Sequence, residues 1–470
     1  PAVPATPAAP TEPTGTRASP STAPERPPIM ITAWWHDFGD PRLDDLVERA
    51  LAANLDLEAA AARLDAAAAR ARIAGGDQLP TLDAGLRASR QKQLYIGLPV
   101  PGRSGILSST ATSYGLSLSS SWELDLWGRL RAGKVAAVAD RQAAVAAVAG
   151  AQLSLAAQTA RAWFGACETL EQLRLAERTA ASYRRTAEWI GDRYASGLRS
   201  SLDLRLALAS QATAEAAVSL RRQQLDAAVR QLEVLLGRYP AAELEVVEHL
   251  TALPPPLPAG LPAELVLRRP DLVAAERRLV AADARLAAAW RAQFPRLSLT
   301  GSTGTASDHL SDLLDPDFSV WNVVGNLVQP LFQGGRLRAG VALARAGARE
   351  AVAGFTGDLL DAYAEVETAL TAERRLAERV TELERAAEQS SAARRLAEDR
   401  YRAGIEPYVT VLEAQRRALT AESQLIGARR RRLDNRVALH AALGGGFTAG
   451  ATELALHTGA ERSESSGELE

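Results

Sequence analysis

The 470 residues carry 54 Lys+Arg against 56 Asp+Glu, a formal charge of −2, with one cysteine and five histidines. Balanced charge excludes the basic surface of a nucleic-acid binder; a lone Cys167 excludes a disulfide framework or a Cys-rich metal site, and His36, His249, His309, His440 and His457 have no metal-ligand spacing. Hydrophobic residues make up 47% but aromatics only 5%, so the apolar content is mostly Ala, Leu and Val, which suits long, closely packed helices better than a large globular core.

In chain order, residues 1–28 are Pro, Ala, Thr and Ser with almost no large apolar group, which predicts an extended tether. The opening Pro1-Ala2-Val3-Pro4 does not read as a secretory leader, leaving a cytoplasmic or a mature, trimmed chain open. The folded part is expected over 29–447. A helix is predicted over Leu55–Ile73, ended by Gly75-Gly76. After Pro80 the period changes to two. Leu82, Ala84, Leu86 and Ala88 alternate with Asp83, Gly85, Arg87 and Ser89, and Tyr114, Leu116, Leu118 and Trp122 with Gly115, Ser117, Ser119 and Ser121. That is strand alternation, and 91–112 is expected as an exposed loop. A long helix follows, Arg131 to Tyr194, about 95 Å at the α-helical rise. Its longest uncharged run, between Arg141 and Arg161, holds Gln142, Gln152, Ser154, Gln158 and Thr159 and is expected to be too weakly apolar to cross lipid. Gly197 suits a left-handed stop, and a helix returns over Ser201–Leu236. Pro254-Pro255-Pro256 lies in a linker, 238–262.

The pattern then repeats. Pro270 sits in the first turn of a helix running to Arg291. Leu297 and Leu299 alternate with Ser298 and Thr300, roughly 304–316 is the second expected outer loop, and a less regular strand falls around Phe318–Val328. A second long helix spans Arg338–Tyr401, with Leu376, Val380, Leu383 and Ala387 at coiled-coil spacing. It stops at Gly404, a helix returns over Tyr408–Leu443, and 448–470 is a polar tail.

Residue matches make the repeat explicit. Asn54-Leu55-Asp56-Leu57 with Arg63-Leu64 matches Arg269-Pro270-Asp271-Leu272 with Arg278-Leu279 at an offset of 215, and Pro80-Thr81-Leu82 matches Pro295-Arg296-Leu297. Gly128-Arg129-Leu130-Arg131-Ala132 matches Gly335-Arg336-Leu337-Arg338-Ala339 at an offset of 207, as Arg193-Tyr194 and Gly197 match Arg400-Tyr401 and Gly404. The first copy therefore carries eight extra residues between Pro80 and Gly128. A period this long is no solenoid. It gives two copies of one unit, roughly 34–237 and 263–444.

Four strands cannot close a membrane barrel, whose smallest forms need about eight, and open edges are forbidden in lipid. Two chains give eight strands and a filled interior; three give twelve and a channel. The small polar face of Ser117, Ser119 and Ser121 suits a water-filled lumen. A soluble antiparallel sheet with one buried face has the same alternation.

The chain resembles the TolC-like outer-membrane efflux proteins, specifically the NodT-type outer-membrane lipoproteins of RND tripartite pumps. The resemblance rests on Trp35-His36-Asp37-Phe38-Gly39-Asp40-Pro41 with Leu43 and Leu46, Ala50-Leu51-Ala52-Ala53-Asn54, Leu267-Arg268-Arg269-Pro270-Asp271 with Ala275-Glu276, Phe294-Pro295 and the twin Arg-Tyr-x-x-Gly turns, and covers about 34–447. It implies a mainly α fold with a small β part. Four strands per chain enter a trimeric 12-stranded outer-membrane β-barrel above a long periplasmic α-helical coiled-coil barrel. It also implies a homotrimer working with a periplasmic adaptor (membrane fusion) protein and an inner-membrane RND transporter. Family members usually begin with a lipidated Cys, which this chain lacks at its start.

No catalytic constellation, Walker A loop or dinucleotide fingerprint is present in the sequence, so no enzyme, cofactor or metal is expected. Cys167 reads as a packed small residue, and Gly334-Gly335 as a strand-to-helix junction. By position in the family, the two turns form the periplasmic tip that meets the adaptor, at Gly197, Leu198, Ser200, Gly404, Ile405 and Pro407. Asp203, Thr410 and Glu413 would approach the pore axis as a gate, with Arg205, Arg416 and Arg417 as inter-helix restraints. A soluble helix would carry Asp203 and Glu413 as ordinary acids favoured by the helix dipole. The expected function is a passive outer-membrane exit duct for small molecules. The alternatives are the channel of a type I protein secretion system and a soluble coiled-coil scaffold. The cargo is not legible.

Overall fold

The computed structural model describes residues 33–95, 107–247, 249–255 and 268–445. The tether 1–28, the tail 448–470, His457, Pro256 and the centre of the first expected outer loop lie outside the described residues.

The chain enters through a 3-10 turn, Trp34–Phe38. Helix α1, Pro41–Ala53, is capped by Asp40, whose carboxylate accepts the Arg42 and Leu43 amides, with Pro41 at the first position where its missing N–H costs nothing. Asn54 ends α1 and its side chain caps α2, Leu55–Gly76, accepting from the Asp56 and Leu57 amides. Gly75 and Gly76 do not stop α2: both are helical and the chain turns only at Asp77. Then come β1 (Thr81–Tyr95), β2 (Leu107–Leu124), α3 (Arg129–Ala195) and α4 (Ser201–Leu235), and in the second copy α5 (Pro270–Arg291), β3 (Arg296–Ser307), β4 (Ser319–Val328), α6 (Arg336–Arg402) and α7 (Tyr408–Ala442). The paired helices have equal lengths: 22 residues for α2 and α5, 67 for α3 and α6, and 35 for α4 and α7.

The long helix α3 packs against α2, α4, α5 and α7, and α6 against α5 and α7. The end of each 35-residue helix meets the start of a 22-residue one. Where α4 meets α2, the Asn54 side-chain amide donates to the Leu235 carbonyl at 3.2 Å. There Gly237 has φ +67°, and a Cβ would sit 2.6 Å from the Ala53 oxygen, so only glycine fits. Where α7 meets α5, Arg269 donates to the Ala442 carbonyl at 3.3 Å and pairs with Asp271 and Glu365 at 2.7 Å each. The wall is two helical ladders about 100 Å long.

The main core lies midway along this wall. Trp34, Trp35, Phe38, Leu43, Leu46 and Val47 pack on the α3 face of Ala160, Trp163, Phe164 and Cys167. Asp40 fastens the layer: besides capping α1 it accepts from the Trp163 indole at 2.8 Å and the Thr251 hydroxyl at 2.9 Å. The linker is no free spacer, because Leu244, Val246, Val247, Leu250 and Leu253 pack on the same core. One described helix, α3, does hold a stretch long and apolar enough to cross a membrane by composition, contrary to the sequence expectation; half of that stretch is buried in the protein, so packing accounts for its apolarity.

The four strands form one antiparallel sheet in the order β1-β2-β3-β4. Its register sorts the two faces. Leu82, Leu86, Leu116, Leu118, Leu299 and Val323 share one side; Asp83, Ser117, Ser119, Thr300, Ser302 and Asn322 share the other. The apolar side is exposed in the protomer. The strands run further than the alternation suggests: 91–95 and 107–112 are paired β structure, as are 304–307, and between β3 and β4 only 308–318 forms a loop, with two 3-10 turns. Arg90 and Lys92 fall on the same side as Leu86, so the two-residue pattern fades while the ladder of backbone hydrogen bonds continues. At Gly304 the β2 backbone comes so close that a Cβ would lie 2.0 Å from the Leu116 oxygen.

Candidate functional site

At the end of the wall remote from the sheet, α3 turns into α4 and α6 into α7. Gly197 and Gly404, at φ +75° and +79°, supply the left-handed residue of each turn. The Leu198 amide then donates to the Arg193 carbonyl at 2.8 Å and the Ile405 amide to the Arg400 carbonyl at 2.9 Å. Ser200 caps α4 through the Asp203 amide at 3.1 Å. Pro407 opens α7 without a side-chain cap, and an Arg400–Glu406 pair at 3.0 Å spans that turn instead. Leu198 and Ile405 are each 63% exposed, so both turns end in an uncovered apolar side chain.

Among the expected gate residues, Asp203 is half-buried and faces the Tyr401 and Tyr408 phenols. Burial first, and Asp203 with it, pushes the pKa of both phenols up. Thr410 and Arg205 are exposed. Glu413 accepts from Arg417 at 2.8 Å and pairs with Arg416 at 3.6 Å, and the Arg417 hydrogen bond holds its pKa below the ordinary carboxylate value. Both arginines therefore pair within α7 in the protomer, not between helices as expected. Spacings of three and four residues put them on the face of Glu413.

At the tip, a restraint between the hairpins comes from a residue that sequence reasoning passed over. Arg199, in the first turn, donates to the Tyr401 carbonyl at the end of α6 at 3.0 Å. Its guanidinium lies 4.2 Å from the Tyr401 ring and 5.7 Å from the Trp189 ring, while that of Arg193 lies 5.1 Å from Trp189. Trp189 meets Tyr401 edge-on at 5.4 Å, and Tyr401 leans on Tyr408 at 5.4 Å. Ile190, Ala207 and Val411 complete this small core. A Trp, a Tyr and an Arg each within two turns of a helix stop were the available signal; that they meet across 202 positions was not.

The remaining singled-out groups have structural surroundings. Cys167 is buried, and burial with the nearby charges of Asp40 and Glu171 pushes its thiol to about 12, far from a reactive thiolate. His440 stacks on Trp34 at 5.0 Å, and burial with Arg436 nearby lowers its pKa to about 3. Gly334 and Gly335 both take positive φ ahead of α6. His309 stands with Asp308 and Asp312, their ligand atoms within 4.8 Å, a grouping the histidine spacing did not reveal; two of the three are fully exposed on the β3–β4 loop.

The sequence matches the family model described as outer membrane efflux protein over residues 46–238 and 261–445. It is 35% identical to the outer membrane protein OprJ of Pseudomonas aeruginosa over 433 residues, 90% of this chain and 88% of that one. It is 34% identical to the toluene efflux pump outer membrane protein TtgF of Pseudomonas putida over 414 residues, 88% of this chain and 85% of that one. Among solved structures it superposes on the outer-membrane channel OprN with a TM-score of 0.81 at 32% identity, covering 88% of this chain and 92% of that one.

Proposed function

The chain belongs to the outer membrane efflux protein family, and from that premise we propose how its protomers seal and open a duct. It is an outer-membrane exit duct of a tripartite efflux pump, and the family forms trimeric channels that work with the other pump components. Channel proteins, not enzymes, make up this family.

In the proposed assembly, β4 of each protomer pairs with β1 of the next. The observation that carries this is the sheet itself: four strands, two open edges, one face of leucines and one of serines. Closure satisfies the edge groups that lipid leaves bare and turns the leucine face to the acyl chains and the serine face to water. The turns at Gly197, Leu198, Ser200, Gly404, Ile405 and Pro407 meet a periplasmic adaptor, which links the duct to an inner-membrane RND transporter. Leu198 and Ile405 supply the apolar contact. Asp203, Thr410 and Glu413 line the tip opening. Arg199 clasps the two hairpins of one protomer and keeps it narrow. A clasp of one carbonyl bond and two aromatic contacts, worth about 1–3 kcal/mol, is weak enough for adaptor binding to release. The relative named for toluene efflux supports small organic cargo without fixing its kind. Light scattering of detergent-extracted protein tests the assembly: three times 49.9 kDa of protein is expected, and a stable detergent-free monomer rejects the reading.

A further inference from the structure

Between α4 and α7, over the α3 segment from Gln172 to Tyr183, lies a cleft of about 580 Å³. That is the size of a small-molecule site. At 100° per residue, the α3 residues lining it fall well away from the Trp163–Cys167 face that carries the equatorial core. Two further cavities, of about 370 and 320 Å³, follow the same stripe of α3 through Gln158 and Arg161. Its position is rigid: the Gln172 amide donates to the Ser423 carbonyl at 2.9 Å, and the Ser423 hydroxyl to the Gln172 side-chain oxygen at 2.9 Å, bolting α3 to α7.

The lining has a definite chemistry. Leu175, Leu206 and Leu419 provide apolar surface. Thr179, Ser210 and Thr420 also line it, but each donates its hydroxyl proton to a carbonyl one turn back in its own helix, at 2.8 Å. Those oxygens offer the cleft only lone pairs. The charged donors are Arg221 on α4 and Arg416 on α7; no carboxylate is among the lining residues. Arg221 is held by the neutral Gln224 side chain at 2.9 Å, and Arg416 reaches Glu413, outside the lining, at 3.6 Å.

We propose that this cleft binds a small amphiphilic anion, its charged head between Arg221 and Arg416 and its apolar tail along Leu175, Leu206 and Leu419. Placing the cleft on the inner face of the duct rests on the duct reading; equilibrium binding does not, so a failure of one leaves the other measurable.

The probe is decanoate, titrated calorimetrically into trimers in lipid nanodiscs with empty nanodiscs subtracted, and decyltrimethylammonium is the cationic control. The expected result is saturable binding of one decanoate per protomer, with the cation at least tenfold weaker. Arg221→Gln with Arg416→Gln should weaken decanoate at least tenfold and bring the two probes level. Ala217→Trp, which fills the cleft and leaves both arginines in place, should abolish binding of decanoate. Equal affinity for the two probes in the unmodified protein, or unchanged decanoate binding in the double glutamine variant, overturns the proposal.

Discussion

The two 67-residue helices are the same element written twice, and they are buried very differently. Helix α3 has 23 buried residues; α6 has nine. Around its middle α3 is covered by the equatorial layer, and along its length by α2, α4, α5 and α7. Helix α6 shows a single 3.5-period seam, with Val366, Ala369, Val380, Ala387, Ala397 and Tyr401 buried, and leaves Leu343, Leu360 and Leu396 more than 60% exposed. The duplication fixes backbone length but not environment. The first copy builds the inside of the protomer, and the second leaves most of its long helix exposed there. The sheet repeats the pattern: β2 and β3 are central, while β1 and β4 are edges.

The largest effect is expected on the α3 side. Trp163 is fully buried and bonded to Asp40, so Trp163→Ala should cost the protomer about 3–5 kcal/mol, read as a collapse of folded yield and early unfolding by circular dichroism. Equal stability to the unmodified protein would show that the equatorial layer is not the core. On the α6 side, Leu343→Asp with Leu360→Asp should leave protomer helicity unchanged yet dissociate the trimer, since burial of each leucine between copies is worth about 1.5–3 kcal/mol. Intact trimers in mild detergent would count against α6 as an assembly edge.

A pH experiment sharpens the same contrast. The folded pKa of His440, about 3, lies below its unfolded value near 6.5. The unfolded chain therefore binds the extra proton between those values, and stability attributable to neutral His440 is complete above about pH 6.5 and is lost as pH falls toward 3. Relative to His440→Gln, the unmodified protein should lose stability on acidification with a slope approaching about 1.4 kcal/mol per pH unit. Parallel pH profiles would place His440 outside the packed core. The smallest effect belongs to the exposed tip. Because the Arg417 hydrogen bond holds the Glu413 carboxyl below its ordinary range, cation preference should persist on acidification further than an unpaired glutamate would allow, and be lost only as the pH falls through that lowered range. Glu413→Gln should reduce that preference at neutral pH; ion-selectivity measurements across a pH gradient would read both.

Much of this was legible in the sequence because it is written locally. The offsets of 215 and 207 map the ends of α2, α3 and α4 onto those of α5, α6 and α7. Gly197 and Gly404 mark the stops because a left-handed backbone leaves little choice of residue. Other features needed distance. The strands outran their alternation, because pairing depends on backbone groups and the two-residue pattern only on which face meets lipid. The entry turn and α1 were present as a motif without a stated shape. Nothing local sets Arg199 apart from any other turn arginine, because Tyr401 is supplied by the other hairpin, and the expectation of inter-helix restraints at Arg416 and Arg417 fails because Glu413 stands within one turn on their own helix. The cleft over α3 has no sequence signature, since three helices contribute scattered residues to it.

Single-channel recording in planar bilayers reads out whether a trimeric duct is held narrow by the Arg199 clasp at the hairpin tips. Unmodified trimers should conduct in small, cation-preferring steps, and Arg199→Ala should raise the unitary conductance severalfold while the trimer stays intact. Identical conductance in the two would place the closure away from Arg199, and trimers that insert without ever conducting would contradict the duct itself.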